Sequence, residues 1–322
     1  NGDGFDDVII GAAKADPNGY RSGSSYVVFG KAFGFDASLN LSSLNGSNGF
    51  RIDGESIYDY SGWSISNAGD VDGDGFDDLI IGAPNVDSND HYSGSSYVVF
   101  GKSTGFSATI NLSSLDGING FRIDGLTAYD FVGNSVSSAG DLNGDGFDDV
   151  IVGARSDDLY SDSSDSSYVI FGKSTRFDAD FDLSSVDGKN GFRLLGEAHG
   201  DYFGHSISDA GDVNGDGFDD LIIGAEGADP NGEGSGSSYV IFGKASGFSA
   251  MMDLTSLEIN DGFRVDGEAS GDYSGKSVSA AGDVNGDGFD DLMIGAFKAD
   301  LNRDNSGTSY ILFGRSDFSI DG

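Results

Sequence analysis

The chain has 322 residues, of which 54 are Asp or Glu and 17 are Lys or Arg, giving a formal net charge of −37. That charge argues against nucleic acid and anionic membrane surfaces as partners, and no apolar run approaches the roughly 20 residues a spanning helix needs. With no Cys and three His, neither disulfides nor zinc or copper sites built on soft ligands are expected, and 53 Gly, 24 Phe and 13 Tyr against 3 Pro describe short strands and tight turns.

The chain opens inside a motif that returns along its length. Residues 69–79 read Gly-Asp-Val-Asp-Gly-Asp-Gly-Phe-Asp-Asp-Leu, with copies at 140–150, 211–221 and 282–292 and a shortened copy at Asn1. Equivalent positions fall at Asn1, Asp72, Asn143, Asn214 and Asn285, a period of 71 residues. A fixed period of this kind means repeats, not ordinary domains. There is no initiator Met and no signal peptide, so the N-terminus of the parent protein is expected elsewhere.

The motif supplies hard oxygen ligands at regular spacing. Asp70, Asp72, Asp74 and Asp78 occupy positions 1, 3, 5 and 9, Gly75 permits a sharp turn at position 6, and Phe76 offers its carbonyl at position 7. The same set recurs as Asp141, Asn143, Asp145, Phe147 and Asp149; as Asp212, Asn214, Asp216, Phe218 and Asp220; and as Asp283, Asn285, Asp287, Phe289 and Asp291. The shortened copy keeps Asn1, Asp3, Phe5 and Asp7. Oxygen donors in a flexible loop suit Ca²⁺ better than Mg²⁺, which demands a tighter octahedron. Four complete calcium loops and one truncated loop are therefore expected. An EF-hand would need an acid at position 12, where this chain has Ile81, Val152, Ile223 and Ile294. RTX calcium repeats recur every nine residues. A net charge of −37 also implies that the chain without metal repels itself, so calcium should stabilise the fold.

One repeat reads as four strands, A to D. Strand A, Trp63 to Ser66, leads through Asn67-Ala68-Gly69 into the loop and is rich in small residues, as a crowded position near an axis requires. Strand B, Leu79 to Ala83, is a short apolar run consistent with cover on both faces. Strand C, Ser95 to Gly101, is aromatic and β-branched, and strand D, Phe121 to Gly125, is half polar. Between C and D lies a link, Lys102 to Gly120, read as an excursion that blunts an exposed strand edge. Every copy has this link except the last, where Arg315-Ser316-Asp317 is expected to pass almost directly into a strand D at 318–322. The fold class is all-β: a β-propeller of four-stranded antiparallel blades, with five 71-residue repeats of which the first lacks strand A. Residues 1–322 are read as one propeller domain or a fragment of one, with repeats at about 1–61 (partial), 62–132, 133–203, 204–274 and 275–322.

The chain resembles the FG-GAP repeat family, which includes the propellers of integrin α subunits. The resemblance rests on Phe203-Gly204, with Ser61-Gly62, Val132-Gly133 and Ser274-Gly275 as variants, and on Gly82-Ala83-Pro84. Elsewhere Gly-Ala is followed by Ala13, Arg155, Glu226 or Phe297. It also rests on the nine-residue loop of Asp or Asn at positions 1, 3, 5 and 9. The resemblance implies calcium in the loops and ligand recognition on the opposite face. The near-identical repeats and absent Cys depart from a eukaryotic integrin and fit a bacterial surface protein better.

Connections alternate between the two ends of a blade, so the A–B metal loops and C–D links share one face while the B–C and D–A loops share the other. The B–C loops, 13–23, 84–94, 155–165, 226–236 and 297–307, differ in sequence around a common length. A recognition surface belongs there. Tyr20, Arg21, His91, Tyr92, Arg155 and Tyr160 are rim candidates, and Trp63, Asn134, His205 and Lys276 fall at the second position of strand A. His199 and His205 lack the further ligands of a transition-metal site. No nucleophile and base recur together, so no catalytic residue and no enzyme activity is expected. The function expected is a secreted or cell-surface calcium-binding module for adhesion to, or recognition of, a protein or glycan on the face opposite the calcium loops. A spacer repeat of a giant surface protein and an accessory propeller of a secreted hydrolase are the alternatives.

Overall fold

The computed structural model describes residues 1–103, 105–155, 165–300 and 305–318. Its strands follow the repeat. The first repeat contributes β1 (Val8–Ala12), β2 (Ser24–Val28) and β3 (Gly49–Asp53). The second contributes β4 (Ser64–Gly69), β5 (Asp78–Ala83), β6 (Ser95–Val99), β7 (Thr109–Asn111) and β8 (Gly120–Asp124). The third has β9 (Ser135–Gly140), β10 (Asp149–Ala154), β11 (Ser166–Ile170), β12 (Asp180–Asp182) and β13 (Gly191–Leu195). The fourth has β14 (Phe203–Gly211), β15 (Asp220–Ala225), β16 (Ser237–Ile241), β17 (Met251–Asp253) and β18 (Gly262–Asp266), and the fifth β19 (Ser274–Gly282), β20 (Asp291–Ala296) and β21 (Thr308–Leu312). The four expected strands therefore form in order, and the all-β propeller-blade class holds. Two compact units carry them: Asn1–Val136 with Lys173–Ser184, and Ser137–Gly172 with Ser185–Gly322.

In the first unit, β4, β5, β6 and β8 pair antiparallel in sequence order. The C–D link then does something its composition did not specify. β7 pairs in parallel with β3, the outer strand of the preceding blade, and β12 pairs in parallel with β8. In the second unit, β17 does the same for β13. The edge is blunted as expected, but β3, β8 and β13 are each covered by the link of the repeat that follows.

An aromatic pair fixes each of these covers. Phe106 stacks on Phe50 with ring centroids 4.6 Å apart, and Phe177 on Phe121 at 4.3 Å, both within the first unit. In the second unit Phe248 stacks on Phe192 at 4.4 Å. Lys102, Lys173 and Lys244 lie over the outer rings. Phe121 and Phe192 are fully buried, so truncating either to Ala would cost about 3–5 kcal/mol. This pairing corrects the expectation for the chain's last residues. Phe318 stacks on Phe263 at 4.4 Å with Arg315 beside it, the place of a link phenylalanine and not of strand D. The expected strand at 318–322 otherwise falls outside the described residues, and the last sheet there has three strands, β19, β20 and β21.

Strand B of the inner repeats is apolar because neighbours cover both its faces. Within the second unit, Leu221 and Ile223 of β15 face a core with Ile151, Val169 and Phe192, while Ile222 faces Val278, Leu292 and Ile294. The family's two glycine elements meet backbone to backbone. A Cβ on Gly82 would lie 2.0 Å from the carbonyl oxygen of Gly133, and one on Gly224 2.0 Å from that of Gly275. Only glycine allows blades to approach so closely.

Loop placement follows the expected alternation. Tyr58, Tyr60 and Ser61 of a D–A turn donate backbone N–H bonds to Tyr20, Arg21 and Ser22 of a B–C loop, so those two connections share one end of the sheet. At the other end the N–H of Gly101, entering the C–D link, reaches Asp78 of the acidic A–B loop at 2.8 Å.

Candidate metal centre

The motif folds around its own backbone. Asp70 accepts the N–H groups of Asp74 through Oδ1 at 3.0 Å and of Gly75 through Oδ2 at 2.9 Å. Asp72 Oδ1 accepts the same Asp74 N–H at 3.2 Å, and Asp74 Oδ1 accepts that of Phe76 at 3.0 Å. Short carboxylate side chains bonded two to five residues ahead wind the chain tightly. The winding draws ligand atoms of Asp70, Asp72 and Asp78 within 4.8 Å of one another.

Asp78 anchors the loop to strand B. It is fully buried, with Oδ2 accepting the Val71 N–H at 3.0 Å and Oδ1 that of Gly101 at 2.8 Å. Burial, with Asp72 and Asp70 close by, nevertheless pushes its carboxyl up to about 8. Asp220 is pushed up to about 8 and Asp149 well above the ordinary carboxylate range, in both cases chiefly by burial. Buried carboxylates among other carboxylates are poorly stabilised as anions, and a divalent cation would reverse that. The donor set is all oxygen, as Ca²⁺ requires, so the residues fit the ion.

The other copies repeat the arrangement. Asp141 and Asp212 accept N–H bonds from Asp145 and Gly146, and from Asp216 and Gly217. Asp149 and Asp220 accept from Leu142 and Gly172, and from Val213 and Gly243. Asn at position 3 adds a bond from its amide: Asn214 Nδ2 to Asp216 Oδ2 at 3.0 Å and Asn285 Nδ2 to Asp287 Oδ2 at 2.9 Å. In the opening copy Asp3 still accepts from Phe5, and Asp7 from Gly30. Asn143, Asp145, Phe147, Asp283 and Asp291 take the same places in their loops.

The opposite end is aromatic and uneven. Arg21 donates to Tyr60 Oη at 2.5 Å and lies over the Tyr20 ring, and Trp63 is 55% exposed with its edge toward Tyr60. His91 packs against Tyr92 and Tyr129. A cavity of about 640 Å³ opens there, lined by Tyr58, His91, Tyr92, Asn85, Asp87 and Arg122. Its D–A turn residue Tyr58 was not among the expected rim residues. The signal was the Tyr-Asp-Tyr run before Gly62, which holds Tyr58 and Tyr60 at φ 68° and 55°. Of the other candidates, Lys276 and His205 both contact Glu226, at 2.8 and 3.2 Å. His199 is exposed, Asn134 is half-buried and Tyr160 lies outside the described residues. Arg155 stacks over Tyr202. Among the described residues no helix is long and apolar enough to cross a membrane.

The serines of strand C have a structural use. Ser24, Ser95 and Ser237 donate to Asp53, Asp124 and Asp266 at the end of strand D.

The FG-GAP repeat family matches residues 61–99, 132–170, 203–241 and 274–312, each match running from the D–A turn to the end of strand C. Among curated proteins, integrin alpha pat-2 of Caenorhabditis elegans is 30% identical over 257 residues, covering 76% of this chain and 19% of that protein. Integrin alpha-V of Gallus gallus is 28% identical over 248 residues, covering 75% of this chain and 20% of that protein. Integrin alpha-5 of Xenopus laevis is 30% identical over 210 residues, covering 61% and 17%. The chain thus spans about a fifth of the length of these relatives. With blades, glycine contacts and loops repeating in step with those matches, this chain belongs to the FG-GAP repeat family.

Proposed function

We propose that the chain is a calcium-stabilised recognition module, exposed outside the cell, that binds a protein or glycan through its B–C and D–A loops. Residues 1–322 act as one propeller domain or part of one. Calcium is held by the complete loops beginning at Asp70, Asp141, Asp212 and Asp283, with the ligand set Asp or Asn at positions 1, 3, 5 and 9 and the position-7 carbonyl. Asn1, Asp3, Phe5 and Asp7 form a partial site. The ion supplies charge compensation and rigidity; no chemistry on a substrate is assigned to it.

The observation that carries this reading is the convergence of Asp70, Asp72 and buried Asp78. The resemblance to integrin α subunits supports a recognition role, and the exposed aromatic side chains of Tyr20, Tyr58 and Trp63, with the half-buried Arg21 over Tyr20, support its location. Scanning calorimetry in calcium and in EDTA tests the metal part, with a higher melting temperature in calcium expected. A melting temperature indifferent to chelator removes it.

A further inference from the structure

Successive metal loops are joined through residues that the ligand pattern leaves out. Position 8 is an aspartate immediately before the buried position-9 ligand, and its carboxylate reaches the loop of the repeat before. Asp219 Oδ2 accepts the backbone N–H of Asp141 at 2.8 Å, and Asp290 Oδ2 accepts that of Asp212 at 3.0 Å. In the proposed sites Asp141 and Asp212 are first ligands.

A second contact runs in parallel. The ring of position 7 lies on the glycine at position 4 of the preceding loop. A Cβ on Gly144 would stand 2.2 Å from Phe218 Cε1, and one on Gly215 2.4 Å from Phe289 Cε1. These glycines sit at φ 73° and 74°, so both the backbone conformation and the ring above exclude a side chain. The same contact joins Phe76 to Gly2 in the first unit.

Phe289 and Asp290 are consecutive residues between the position-5 and position-9 ligands of their own loop. An ion that fixes the backbone from Asp287 to Asp291 therefore also fixes the ring over Gly215 and the acceptor for Asp212. We infer that calcium binding in the loops at 141–149, 212–220 and 283–291 is positively coupled, with Asp219 and Asp290 as positioning residues. Filling one loop pre-orders the loop before it, and linkage makes the effect reciprocal. This inference rests on the calcium reading.

The test is calcium titration of the full chain by isothermal calorimetry. Asp290→Ala leaves every proposed ligand in place, so the number of sites should stay the same while one site weakens about fivefold or more and the isotherm loses steepness. Asp290→Asn keeps an acceptor oxygen and should restore most of the steepness. Asp283→Ala with Asp287→Ala should remove one site and weaken another. Should Asp290→Ala fold poorly, Phe289→Leu addresses the second contact with the carboxylate intact. In chelator, amide hydrogen exchange at Asp212 should quicken in Asp290→Ala and at Asp141 in Asp219→Ala. Loss of a single site from the double variant with the remaining affinities unchanged, or an Asp290→Ala isotherm identical to that of the parent, overturns the coupling. No calcium uptake by the parent chain overturns the calcium reading and the coupling together.

Discussion

The loops at 212–220 and 283–291 are identical in sequence but sit in different surroundings. Their internal bonds agree closely. Asp212 accepts from Gly215, Asp216 and Gly217, and Asp283 from Gly286, Asp287 and Gly288. Yet Val213 is fully buried while Val284 is 60% exposed. Gly215 lies under Phe289, whereas nothing stands within 4 Å of a Cβ on Gly286. The loop's conformation is thus written in its own nine residues, and its shelter comes from the repeat that follows. Backbone N–H bonds led by that of Gly288 hold the Asp283 carboxyl below the usual range. Wrapping alone, without cover, is enough to favour the anion there.

Chelation should act most strongly, because it removes ions from sheltered and bare loops together. Calcium at a hundredfold excess over Kd stabilises by about 2.7 kcal/mol per site, so EDTA should lower the melting temperature by about 10 °C or more. A shift under about 2 °C would break the premise that either loop holds an ion. Next comes the burial contrast. Val213→Asp should cost about 3–4 kcal/mol and Val284→Asp less than about 0.5 kcal/mol in denaturant unfolding, and equal costs would erase the distinction between the loops. Asp216→Ala should lose about 1–3 kcal/mol in calcium and little in chelator; an equal loss in both conditions would contradict metal ligation at that position.

The smallest effect lies at the opposite end of the sheet and checks whether acids away from the metal loops also limit stability. Burial pushes Asp59 up to about 6. Its folded value exceeds its unfolded one, so keeping it charged costs stability above pH 6, and the cost fades as pH falls through 6 and vanishes below about 4. Asp59→Asn should therefore gain on the order of 1–2 kcal/mol at pH 7 and nothing at pH 4. A gain independent of pH would assign the effect to packing.

Much of the fold was legible from one repeat. The tightly wound acidic loop, the apolar strand B and the small residues of strand A are local signals, and a 71-residue period multiplies each of them. What stayed hidden is relational. Phe50 and Phe106 both stand out as large apolar residues, but nothing local pairs them across two repeats. Asp290 looks like one more acid beside Asp291, and only the fold turns its carboxylate toward the amide of Asp212. Phe318 is disguised for the same reason: Phe-Ser-Ile-Asp imitates the strand D run Phe-Arg-Ile-Asp, and only its stacking partner Phe263 distinguishes them.

The parallel pairing of β7 with β3, of β12 with β8 and of β17 with β13 gives the array a direction. Each of these three outer strands leans on the repeat that follows, as roof tiles overlap downslope. A gene that gains or loses whole 71-residue units keeps each tile in place, because the overlapping residues travel at constant spacing. A cut inside a unit strips cover from the blade before it, so tandem duplication is the mode of growth that such a chain tolerates.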